Sequence, residues 1–130
     1  MSTRPYIAPN LQKPLVNGVS MTSQVISTPT DIQNIPGISY DIAWTGTPVG
    51  TFAVQVSNTY AQNPDGSTQV AGNWNTLPTS AFTGTYPVPN GSAGNGFLDV
   101  VGTEAKWVRI VYNPGSSTGT LTIVPSAKVL

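Results

Sequence analysis

"KWVRIVYNPGSSTGTLTI", residues 106–123, reads as two β-strands joined by a turn. Val108, Ile110 and Tyr112 alternate with Trp107, Arg109 and Val111. That is the period of two expected of a strand with two distinct faces. If the first set faces a core, the second shares the opposite face, and a register shift of one residue would exchange them. Pro114 and Gly115 suit the centre of a turn and Gly119 its exit, so "NPGSSTG" (113–119) is expected to close a hairpin with "GTLTIV".

Working outward, "ISYDIAW" (38–44) sets Ile38, Tyr40, Ile42 and Trp44 on one face, against Ser39, Asp41 and Ala43. "TFAVQVS" (51–57) repeats the device with Phe52, Val54 and Val56 inward. The linker "TGTPVG" between them is short enough for a second antiparallel hairpin. "VSMTSQVIS" (19–27) and "GFLDVVG" (96–102) add further β-like runs, and nothing keeps a helical period. Residues 58–96 hold "NPDGS" (63–67), "NWNTLPTS" (73–80) and "PNGSAGNG" (89–96), a loop-rich stretch with short strands at best.

About six to eight short strands between Gly and Pro turns, with no helix, define an all-β chain. A single sheet would leave one apolar face wet, so the expectation is an antiparallel β-sandwich, jelly-roll-like. At 130 residues it fits one domain, assigned to 19–130. Residues 1–18 are expected to form an extended N-terminal arm, since Pro5, Pro9 and Pro14 each remove a backbone donor and bias their predecessors toward extended geometry. Against plain terminal disorder, Tyr6, Ile7 and Leu11 supply apolar hooks that can lie along a neighbouring subunit.

Five Lys and Arg balance five Asp and Glu, and no basic run offers the footprint a phosphate backbone demands, so nucleic acid is not expected as a partner. The charged fraction is 8%, against about 25% for ordinary soluble domains. Such a neutral, hydroxyl-rich surface repels copies of itself weakly and favours assembly. "MSTRPYIAPNLQKPL" has no long apolar core, and no segment approaches the roughly 20 apolar residues of a membrane helix, so neither export signal nor membrane partner is expected.

The chain has no Cys and no His, which removes thiolate nucleophiles, disulfides, Ser-His-Asp triads and His-ligated metals. The carboxylates are Asp31, Asp41, Asp65, Asp99 and Glu104, and most fall in or beside turn signals, a poor basis for a glycosidase pair. "NPDGS" lacks the second carboxylate and downstream Glu of a calcium loop. "GSAGNG" (91–96) lacks the Lys-Ser or Lys-Thr of a phosphate loop and leads into a strand. No enzyme, cofactor or metal is expected.

Asp41 is expected to be an exposed residue on a polar strand face. A lone Arg109 among apolar neighbours suits a cross-strand partner for a carboxylate such as Asp41 or Asp99, or else an interface anchor. Trp44 belongs to an inward-reading run, whereas Trp74 sits in "GNWNTLP", where a large aromatic either plugs the sandwich end or faces a ligand or neighbour. The interface candidates are Tyr6, Ile7, Leu11, Trp74, Trp107 and Arg109.

The joined pattern "GTFAVQVSN", "GNWNTLP" and "FLDVVGTEAKWVRIVYNPGSSTGTLTIV", spanning about residues 38–124, resembles small β-rich virion proteins of tailed bacteriophages, of the capsid decoration or cement type. The resemblance lies in strands, a loop tryptophan and the final paired strands rather than in a catalytic signature. It implies a non-enzymatic homo-oligomer, dimer or trimer, made in the host cytoplasm. On the capsid surface of the virion it would bridge subunits of the major capsid protein and stabilise the assembled head. The alternative is a carbohydrate-binding module of a phage fibre or tail protein, with Trp74, Tyr60 and Tyr86 as stacking candidates.

Overall fold

The computed structural model describes residues 14–33, 37–78, 86–101, 103–116 and 118–127. These residues form eleven strands and no helix. The arm expectation over 1–18 lies outside the described residues as far as residue 13, and its end enters a strand: β1 spans Val16–Ser20. The others are β2 (Val25–Ile26), β3 (Thr30–Asp31), β4 (Gly37–Trp44), β5 (Val49–Ser57), β6 (Ala61–Gln62), β7 (Thr68–Val70), β8 (Asn75–Thr76), β9 (Gly94–Val101), β10 (Trp107–Ser116) and β11 (Thr120–Ala127).

Two antiparallel sheets carry the fold. Sheet A has the order β1-β11-β4-β9; sheet B has the order β2-β10-β5-β8, with β3 also on β10. The alternation read from the sequence sets the faces. Ile38, Tyr40, Ile42 and Trp44 of β4 point inward and meet Phe52 and Val54 of β5 and Val108, Ile110 and Tyr112 of β10 in one buried cluster. Leu98, Val100, Leu121 and Ile123 complete the sheet A side. Burial of both inner faces in a common core is what makes two one-sided sheets into a sandwich.

The two expected hairpins do not form. β4 and β5 lie in different sheets, as do β10 and β11; the ladders instead pair β4 with β11 and β5 with β10. Each pair of strands runs along sheet A, turns a corner together and continues along sheet B, so an antiparallel ribbon is folded over on itself. At the corner the two linkers lie side by side. Thr45 donates its N–H to the Thr120 carbonyl at 3.0 Å, the Thr120 N–H donates to Thr45 Oγ1 at 3.1 Å, and the Thr47 N–H donates to Thr118 Oγ1 at 3.2 Å. Threonine hydroxyls thus carry the ladder around a bend where backbone partners alone run out. Pro114 and Gly115 do not form a turn. They continue β10 against Gly50 and Val49, with a register shift between Pro114 and Ser116.

The run 19–27 divides into β1 and β2 around a turn that buries Met21, so it is not one strand. Ser27, buried just after β2, both donates its N–H to the Ile110 carbonyl and accepts the Ile110 N–H on its hydroxyl at 2.8 Å. "NPDGS" is a turn as expected. Gly66 N–H reaches the Asn63 carbonyl, and Asp65 accepts from both the hydroxyl and the N–H of Ser67, which hold its carboxyl below the usual range.

A polar irregularity lies in the core at Tyr40 and Thr30. Neither the Tyr40 hydroxyl nor Thr30 Oγ1 has a hydrogen-bond partner of good geometry. Burial raises the Tyr40 hydroxyl far above its ordinary pKa, and its interaction with the Thr30 hydroxyl offsets only part of that. An unfolded tyrosine ionises near pH 10 while the buried one stays neutral. Tyr40 therefore contributes its full stability below about pH 10 and loses it progressively as pH rises above that value. Tyr40→Phe is expected to leave stability at pH 8 unchanged or to raise it by up to about 1 kcal/mol. Urea midpoints should then fall less steeply from pH 8 to pH 11 than in the parent chain. Equal slopes in the two proteins would rule Tyr40 out as the alkaline-sensitive group.

Candidate functional site

The outer face of sheet B carries the one place among the described residues where aromatic rings and a cation meet. β10 presents Trp107 and Arg109 outward, because Val108 and Ile110 take the core. β5 sets Ser57 opposite Trp107 and Gln55 opposite Arg109. β8 then pairs Thr76 with Gln55, which brings Trp74, two residues before Thr76, over the same face.

Arg109 packs against the Trp74 ring on this surface. Its carbon Cζ sits 4.1 Å from the centre of the Trp74 ring, and its Nε donates to Gln55 Oε1 at 2.9 Å. Partial burial weakens the guanidinium's hold on its proton and the neighbouring Tyr60 opposes that shift, but an arginine stays charged throughout the working pH range. Tyr60 joins the two tryptophans, 5.4 Å from Trp74 and 4.9 Å edge-on to Trp107 between ring centres. Such tilted and edge-to-face contacts suit the ring quadrupoles and contribute about 0.5–1.5 kcal/mol each beyond buried area.

The loop that delivers Tyr60 and Trp74 is tied down from both ends. Ser57 Oγ accepts the Tyr60 N–H at 3.0 Å, Thr59 Oγ1 accepts the Asn73 N–H at 2.7 Å, and Trp74 Nε1 donates to the Ala71 carbonyl at 3.0 Å. The indole is therefore held in place before any partner arrives. Beside it lies a cleft of about 260 Å³ lined by the neutral donors and acceptors of Asn58, Asn73, Asn75, Ser57 and Thr59 together with the apolar Val56 and Ala105.

The expected residues divide as follows. Trp74, Trp107 and Arg109 come together in this cluster, but Trp107 is only 9% exposed and acts as its floor. Arg109 does not pair with Asp41 or Asp99, which belong to β4 and β9 of the opposite sheet. Its partner is Gln55, which sequence reasoning missed because β5 was paired with β4 rather than β10. Tyr6, Ile7 and Leu11 lie outside the described residues. Of the expected sugar-stacking rings, Tyr60 is buried, and the Tyr86 hydroxyl is engaged by the Val54 N–H and the Leu77 carbonyl. Among the described residues no three His, Cys, Asp or Glu side chains cluster as metal ligands.

The fold and cluster define an all-β, antiparallel sandwich with a pre-ordered aromatic and arginine patch on one outer face. No protein-family model matches the chain and no curated protein matches it. Among solved structures it is similar to the enzymatically active domain of tailspike protein 4 of bacteriophage CBA120, with a TM-score of 0.34 and 13% identity. The match covers 80% of this chain and 13% of that one. The expectation that the chain is not an enzyme is corrected by this comparison, since the similar structure is an enzymatically active domain, and it is withdrawn. A likeness of this extent assigns no reaction to this chain.

Proposed function

We propose that the chain is a virion structural protein that decorates the bacteriophage head, binding the assembled shell by bridging subunits of the major capsid protein. The observation that carries this reading is the locked cluster of Trp74 and Arg109 on the outer face of sheet B. Tryptophan and arginine are the residues that most often anchor protein interfaces. Anchors already held in their bound geometry lose little conformational entropy on docking. The neutral amides and hydroxyls of the adjoining cleft supply a polar rim that carries almost no desolvation penalty from charge. Binding only the assembled shell would stabilise it by mass action.

The test is sedimentation of particles on a sucrose gradient with the chain tracked by mass spectrometry. Many copies per particle are expected in the particle peak. Trp74→Ala or Arg109→Ala should lower occupancy at limiting protein by about tenfold or more, the equivalent of at least about 1.4 kcal/mol. A chain that stays at the top of the gradient overturns the proposal. The cleft beside Trp74 favours a second reading, carbohydrate binding, in which glycan affinity would be measurable and lost in Trp74→Ala. It is the weaker one, because Arg109 covers one face of the indole that a sugar would stack on.

A further inference from the structure

The outer face of sheet A is unlike that of sheet B. Three strands set a row of side chains across it, Phe97 of β9, Asp41 of β4 and Val124 of β11, in direct register. Phe97 is 61% exposed and Val124 41%, so an acid stands between two uncovered apolar groups. The next row outward is Asp99, Ser39 and Ser126; the row on the other side is Asn95, Ala43 and Thr122. The four strands of this sheet hold Asp41 and Asp99 and no Lys or Arg, a charge of −2.

Residues 1–13, "MSTRPYIAPNLQK", are the complement. They contain Arg4 and Lys13 and no acid, a side-chain charge of +2, drawn from only five cations in the whole chain. Arg4 stands two positions from Tyr6, and Lys13 two from Leu11. In extended geometry that spacing puts a cation and an apolar group on the same side, as Asp99 and Phe97 are on β9. A face with two acids beside the exposed Phe97 and Val124 thus matches a segment with two cations beside Tyr6 and Leu11.

We infer that residues 1–13 of one copy of this chain dock on the outer face of sheet A of a second copy. The direction of the chain favours a neighbour over the same molecule. β1 is the edge strand of sheet A, and the Leu15 N–H bonds the Ile123 carbonyl, so the chain enters along that edge, antiparallel to β11. The chain thus joins the sheet at its edge and not over its face. A thirteen-residue segment can span about 43 Å, against about 15 Å for the width of four strands, which is long enough to cross a neighbouring face. The inference concerns self-association and does not depend on a capsid partner.

The test uses two full-length variants, each with one side of the contact reversed: Arg4→Glu with Lys13→Glu, and Asp41→Lys with Asp99→Lys. Sedimentation velocity of the purified parent chain at low salt should show concentration-dependent self-association, weakened as salt rises. Each variant alone should associate at least about tenfold more weakly, because like charges now face each other. An equimolar mixture of the two should recover the association, since acidic segments then meet basic faces. Circular dichroism and thermal melts close to those of the parent keep misfolding separate from loss of contact. A monomeric parent at all concentrations, or a mixture that stays dissociated, overturns the inference; the first result with intact decoration of particles would leave the proposed function standing.

Discussion

Replacing Gly119 by alanine is expected to destabilise the protein by about 3 kcal/mol or more. Gly119 has φ of +97°, a region that residues with a Cβ rarely enter. A Cβ there would overlap the Thr45 carbonyl oxygen and crowd Gly46 Cα, which are backbone atoms that no rotamer change can move. The contact lies at the corner where the β4/β11 ribbon bends into the β5/β10 ribbon, so relief would require the two linkers to separate and break the threonine bonds between them. Gly18→Ala is the control. Its φ is +65° but nothing lies within 4 Å of the added carbon, so it should cost only about 1 kcal/mol of backbone strain. Thermal melts should show Gly119→Ala well below Gly18→Ala. Equal midpoints would mean that the corner is not tightly closed.

Trp107→Ala is the second. The side chain is 9% exposed, packs edge-on against Tyr60 and sits opposite Ser57 and Asp31 in the ladder. Its removal opens a large void beneath the cluster, and a loss of about 3–4 kcal/mol is expected, with a matching fall in the urea midpoint. Trp74→Ala should behave differently. The indole is half-buried and lies on top of Arg109 and Tyr60 rather than under them, so its loss should lower stability by about 1 kcal/mol while lowering particle occupancy much more. The contrast separates floor from anchor. If Trp74→Ala were as destabilising as Trp107→Ala, Trp74 would be a structural plug and the docking role assigned to it would fall.

Part of the site was legible in the amino-acid order. Arg109 and Trp107 were placed on one strand face because alternation leaves no choice once Ile110 is inside. Trp74 was singled out by its turn-rich surroundings. Gln55 was not, because an amide in mid-strand carries no signal until its cross-strand neighbour is known. The neutral cleft of Asn58, Asn73 and Asn75 was equally hidden, since each residue alone reads as a turn former.

The same boundary runs through the fold. Local alternation in 38–44, 51–57 and 106–112 settled strand type and buried face, because the pleat repeats every two residues whatever lies beside it. It could not say which strand lies beside which. Ile42 and Val54 are buried equally well whether β4 and β5 pair in one sheet or face each other across two, so the apolar pattern is silent between a hairpin and a corner. That choice rests on contacts between segments more than 70 residues apart: Thr45 with Thr120, Thr47 with Thr118, and the close approach of Gly46 to Gly119. Partners so remote meet only in the folded chain, and it is their packing, not any local preference, that folds the ribbon over and sets Gln55 beside Arg109.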